Sequence, residues 1–146
     1  MAFTEDTLEF TVTAPSWRDG TTFTHTCKWF RTTSIDNNPV PVPNGNGGTH
    51  ICYPFPGDTL YMGTIRFEES VFSDAQDALL NVLETNGCTG TLVVTPGADH
   101  GTRNVRNAEN ISNVFLESVS VLAYEQGAST YAYDLTLIFR KLTTGV

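Results

Sequence analysis

The chain has 146 residues, 40% of them hydrophobic and 11% aromatic, enough for one domain whose folding buries about two-thirds of the unfolded surface without disulfide or metal staples. Eight basic residues against sixteen acidic ones give a net charge of −8, which repels a phosphate backbone and argues against sequence-specific nucleic-acid binding. Charged residues make up only 16%, below the roughly one quarter usual for globular chains, and the abundance of Thr, Gly, Pro and Asn points to a β-rich protein with long turns.

Met1 to Asp6 contains neither a basic start nor an apolar run, and no window approaches the ~20 apolar residues of a membrane span, so neither a signal peptide nor a membrane partner is expected. Three cysteines, Cys27, Cys52 and Cys88, are an odd number without an export signal, and reduced thiols are the expectation.

Along the chain, Leu8, Phe10 and Val12 alternate with Glu9, Thr11 and Thr13, the period-two pattern of a strand with one buried face; it ends near Ala14-Pro15. After a turn at Asp19-Gly20, Phe23, His25, Cys27 and Trp29 alternate with threonines and Lys28 and predict a second strand on which these four share a face. Tyr61, Gly63, Ile65 and Phe67 predict a third. Between them, residues 32–59 show no periodicity. Their prolines, Pro39, Pro41, Pro43, Pro54 and Pro56, cannot donate to a central ladder, yet Val40, Val42, Ile51, Tyr53 and Phe55 make the segment too apolar for a solvated linker, so an extended arm is predicted at 32–59.

Over residues 73–87 the period changes: Ala75, Ala78, Leu79, Val82 and Leu83 recur at helical spacing. Ser73 with Gln76 three residues on forms a capping box, and Asn86-Gly87 a left-handed stop. Residues 90–95 predict a short buried strand through Leu92, Val93 and Val94. A polar loop over 96–113 carries His100, Arg103 and Arg106, the local basic cluster, suited to an acidic partner surface. The strongest strand signals come last, as a hairpin over 114–142, with Tyr131, Tyr133, Leu135, Leu137 and Phe139 on one face. The predicted fold is mainly β in a single domain over 1–146: an antiparallel β-sandwich or curled sheet with one flanking α-helix and a long extended loop.

Chemistry-bearing motifs are sparse. Two Thr-His-x-Cys copies place His25 with Cys27 and His50 with Cys52, four residues of the right type for tetrahedral zinc, but structural zinc sites space cysteines as C-x₂₋₄-C, so no metal or other cofactor is expected. No G-x-S-x-G elbow is present, Glu68 and Glu69 point to opposite strand faces, and the Asn44 to Gly48 glycine-rich stretch lacks a phosphate-loop ending; no catalytic residue is assigned and an enzyme is not expected.

The order of elements from Tyr61 onward, strand, helix, strand, polar loop and a terminal hairpin ending YDLTLIFRKL, resembles the tube-fold structural proteins of tailed bacteriophages: tail tube, distal tail and baseplate proteins. The resemblance implies a tail-tube-like virion protein, assembled in the host cytoplasm as a homo-oligomer, a hexameric ring stacking around the DNA channel and contacting other virion proteins. The candidate subunit-interface residues, read from the arm's exposed apolar side chains and the local basic cluster, are Val40, Val42, Ile51, Tyr53 and Phe55 on the arm, and Arg103 and Arg106. The alternatives are a capsid decoration or cement protein and a carbohydrate-binding or hydrolytic β-sandwich.

Overall fold

Alternation along the first strand, β1 (Asp6–Ala14), is realised: Leu8, Phe10 and Val12 are buried while the residues between them are not. The computed structural model describes residues 6–97 and 109–142. A 3-10 turn (Ser16–Arg18) and Gly20, whose φ of 89° suits glycine alone, return the chain into β2 (Thr22–Ile35).

On β2 the expected inward stripe breaks. The pairing register shifts between Cys27 and Trp29, so a bulge hands the inward position to Phe30, which is buried, while Trp29 turns partly outward with the Arg31 guanidinium 4.9 Å from its ring centroid. β2 also runs to Ile35, well into the segment that lacked periodicity, because pairing with β5 (Thr59–Glu69) supplies what the local pattern does not. Residues 36–58 hold a second, two-stranded sheet, the antiparallel hairpin of β3 (Val40–Pro43) and β4 (Thr49–Cys52). The predicted arm is therefore a strand extension carrying a hairpin.

The helix α1 (Phe72–Glu84) begins at the N-cap Val71, with no side-chain cap. The predicted Ser73–Gln76 box does not form there: Gln76 Nε2 instead donates to the Tyr133 hydroxyl at 2.7 Å. Gly87, φ 85°, provides the predicted left-handed stop, and its N–H donates to the Leu116 carbonyl. Ala75 and Val82 are fully buried, Ala78 and Leu79 pack against the core, and Leu83 faces outward, against expectation. β6 (Thr89–Thr95) follows. β7 (Glu109–Gln126) starts inside the predicted polar loop, paired to β6 from Val94↔Glu109, and β8 (Tyr131–Lys141) completes the hairpin. His100, Arg103 and Arg106 lie outside the described residues.

All pairings are antiparallel, and the six long strands close in the order β1-β2-β5-β8-β7-β6. This is the curled sheet of the sequence expectation, curled until it meets itself. Its interior is filled by Leu8, Phe10, Ile65, Leu92, Leu135, Leu137 and Phe139 with their neighbours, and α1 packs on β5, β8 and β2. No helix among the described residues is long and apolar enough to cross a membrane.

Candidate subunit interface

Closure of the barrel is not flush. β6 accompanies β7 only as far as Phe115, a contact prolonged by Cys88 and Leu116, and from 118 to 126 β7 pairs with β8 alone among the described residues. β1, described from Asp6, accompanies β2 to Cys27, and among the described residues 28–35 pair with β5 alone. Two strand edges thus carry extended backbone with N–H and C=O groups turned away from any described strand. The β7 edge is apolar for a solvent-facing strand, with Val121, Leu122 and Tyr124 exposed.

Ion pairs brace the sheet behind these edges. Arg66 on β5 binds Asp134 on β8 at 2.9 Å, Glu125 near the hairpin tip at 2.8 Å and Glu68 at 3.0 Å. These bonds hold the Glu125 carboxyl below its ordinary pKa and raise that of Arg66. Arg140 on β8 binds Glu117 on β7 at 2.9 Å and Asp58 at 3.3 Å. A file of rings runs from Phe139 inside the barrel through Phe10, Phe23, His25, Phe67 and Tyr133 out to the exposed Tyr124, with neighbouring centroids 4.6–6.0 Å apart.

The hairpin β3–β4 stands on a neck in which Gly57 N–H donates to the Asp36 carbonyl and Asp36 N–H to the Asp58 carbonyl. A Cβ on Gly57 would sit 2.6 Å from that Asp36 oxygen, so only glycine allows the neck to close. At the tip, Asn44 Oδ1 accepts from the N–H groups of Asn46 and Gly48. Of the arm residues singled out in the sequence, Val40, Ile51, Tyr53 and Phe55 are exposed and Val42 is half-buried. Tyr53, Pro54, Phe55 and Pro56 line an open groove together with Asn37.

The two Thr-His-x-Cys copies are not brought together. His25 and Cys27 lie in the barrel wall, where burial lowers the His25 pKa and pushes the Cys27 thiol up to about 12, while His50 and Cys52 lie on the distal hairpin. No cluster of three or more His, Cys, Asp or Glu that could hold a metal occurs among the described residues. Sequence reasoning missed Trp17, 80% exposed on the β1–β2 turn, and the apolar outer side of α1 at Leu80 and Leu83. Trp17 stands two residues after Pro15 and just before the Arg18-Asp19-Gly20 turn, a place where a tryptophan has no core to enter, and that was its only signal.

No protein-family model matches the sequence, and no curated protein matches it. Three solved structures similar to this chain align over most of its length. The sheath/tube terminator of the extracellular contractile injection system PVC, in the extended state, aligns at 14% identity and TM-score 0.44, covering 92% of this chain and 88% of that one. The tube-terminating cap of the anti-feeding prophage aligns at 14% identity and TM-score 0.45, covering 94% and 88%. A chain from the tail of an empty GTA particle aligns at 10% identity and TM-score 0.44, covering 94% of each. At this level the likeness says nothing about what the present chain binds.

Proposed function

We propose that the chain is a structural tail-tube-like virion protein, without enzymatic activity, whose copies join edge to edge into a ring around the DNA channel. The observation that carries this reading is the edge 118–126 of β7, which outruns the closed barrel and pairs with β8 alone among the described residues. Unpaired edges with exposed apolar side chains are templates for another strand, and proteins that stay monomeric blunt them with charge or proline. Here the β7 edge keeps Val121 and Leu122. An edge that seats on a different surface of the next copy makes a head-to-tail contact, and such contacts form rings when the rotation closes. The hexameric order follows the sequence resemblance, and the −8 charge suits a channel along which DNA slides without sticking.

The test is electron microscopy of the purified chain beside the Val121→Lys/Leu122→Lys variant. Rings or tubes from the parent, and dispersed particles with unchanged circular dichroism from the variant, are the expected results. Rings that persist in the variant would remove the edge from the argument. Gold labelling of particles separates a tail position from the capsid-cement alternative.

A further inference from the structure

We propose that His25 is a proton-operated latch: its neutral ring plugs a split in the barrel wall between β2 and β5, and its protonated ring leaves for the cleft outside, opening the barrel at that end. The device works within one copy and needs no neighbour.

The split is visible in the register. β2 and β5 pair from Ile35↔Thr59 up to Thr26↔Arg66 and no further, although β2 reaches back to Thr22 and β5 runs on to Glu69. Each keeps its other neighbour over that stretch, β2 pairing with β1 and β5 with β8. The wall therefore parts at one end. A cleft of about 620 Å³ opens there, its lining including His25, Lys28, Arg66, Phe67, Glu68 and Glu69. In place of a backbone ladder, α1 bonds to both sides, Asn81 to the Thr22 carbonyl of β2 and Gln76 to the Tyr133 hydroxyl of β8.

The imidazole fills the parting. Its centroid lies 4.6 Å from that of Phe67 across the split and 5.8 Å from that of Phe23 on its own strand. Nε2 is buried without a hydrogen-bond partner. A neutral ring tolerates that place, whereas an imidazolium would hold a full charge and a second N–H there away from water. The surrounding charges do not rescue it. On β1, Leu8 stands opposite, and Asp6 beyond it gives Oδ1 to the Gly97 N–H. On β5, Arg66 and Glu68 are bonded to each other, Lys28 is exposed on β2, and α1 brings the uncharged Gln76 and Asn81. Burial alone sets the direction of the His25 pKa, which is downward. In the cleft the balance reverses, because water solvates the ring and Glu69, on the same face of β5 as Phe67, offers a carboxylate to a charged donor.

The closed ring thus titrates below 6.5 and the open ring near it, so opening gains about tenfold per pH unit below that value until the closed ring is itself protonated. Opening uncovers Cys27, which pairs with Ile65 immediately beside the split. Cys88, buried between the end of α1 and β7 with its carbonyl accepting from Leu116 N–H, stays covered.

Labelling of the full chain with a pyridyl disulfide, which still reacts in acid, reads both thiols at once by peptide mass, with rates normalised to free cysteine at each pH. As pH falls below about 6.5, Cys27 should accelerate by about tenfold per unit while Cys88 stays slow, and His25→Phe should keep Cys27 slow throughout. Equal acceleration of Cys27 and Cys88 would be global unfolding and overturns the latch. So does a Cys27 rate indifferent to pH, or one that still accelerates in His25→Phe. If that variant does not fold, the ratio of Cys27 to Cys88 labelling in the parent decides. None of these rates depends on whether copies assemble, so a failed latch leaves the ring reading untouched.

Discussion

Gly90 of β6 passes so close to Thr11 of β1 that a Cβ at position 90 would collide with the Thr11 carbonyl oxygen and come within 2.8 Å of its carbonyl carbon and 3.0 Å of Val12 Cα. All three are backbone atoms, and this is the crossing at which the barrel closes, beside the register shift between Val12 and Ala14. Gly90→Ala should therefore destabilise by about 3 kcal/mol, with local parting of β1 from β6. Gly63→Ala is the control: its Cβ would meet side-chain atoms, Leu8 Cδ1 at 3.0 Å and Phe30 Cδ2 at 3.4 Å, which can shift, so a loss of about 1 kcal/mol is expected. Denaturant midpoints decide it, and equal costs at the two positions would contradict the backbone collision.

The Gln76–Tyr133 hydrogen bond couples α1 to the inner face of β8. Gln76→Ala and Tyr133→Phe should each cost about 1 kcal/mol, and the double variant should cost less than their sum by about the value of one hydrogen bond. Strict additivity in the cycle would show that the bond contributes nothing.

Acid should weaken the fold in two windows. The folded His25 pKa lies below 6.5 because the ring is buried, with Nε2 lacking a hydrogen-bond partner. The unfolded chain thus takes up the proton first, and the stability present above 6.5 is lost as pH falls toward the folded value. Glu125 is held down by Arg66, so its contribution is complete above the ordinary carboxylate range and disappears as pH falls through the lowered value. His25→Phe should abolish the upper window and leave the lower one; Arg66→Gln should shrink the lower one and leave the upper. Denaturant midpoints measured from about pH 8 to about pH 3 test both, and an unchanged upper window in His25→Phe would assign that window to another group.

The cysteines should react in order of place. Cys27 is buried with its thiol pushed up to about 12 and Sγ donating to the Trp29 carbonyl at 3.3 Å; Cys88 is buried and its thiol raised as well. Cys52 stands on the distal hairpin. A thiol reagent near neutral pH should modify Cys52 rapidly and the other two only at the rate of unfolding. Equimolar zinc should leave the thermal midpoint unmoved, since a metal bound to the folded state alone would raise it. A stoichiometric zinc that depends on both Cys27 and Cys52 would require the arm to fold back onto the barrel.

Replacing residues 38–55 with a short Gly/Ser linker should leave the thermal midpoint nearly intact, because the hairpin's side chains are mostly exposed, while removing higher assembly from micrographs. A chain that no longer folds would show that the hairpin supports the barrel itself.

Much of the fold is legible from periodicity. The inward stripes of β1, β5 and β8, the helix and its Gly87 stop, and the mainly β class with a curled sheet follow from residues whose alternation or helical spacing leaves one face to bury. Locally encoded features were readable because neighbours in sequence decide them. The bulge after Cys27, the start of β7 at Glu109 and the capping of α1 were not, since each depends on a partner far along the chain: β5 for the bulge, β6 for β7, and Tyr133 for the glutamine that would have completed the capping box. The prolines and apolar residues of the arm showed that something unusual stands between β2 and β5, and exposure at Tyr53 and Phe55 is what tertiary structure added. Closure of the barrel, and with it the β7 edge that outruns it among the described residues, is a property of register summed over six strands. No single strand's sequence carries that sum, so only the assembled sheet could reveal which edges remain open.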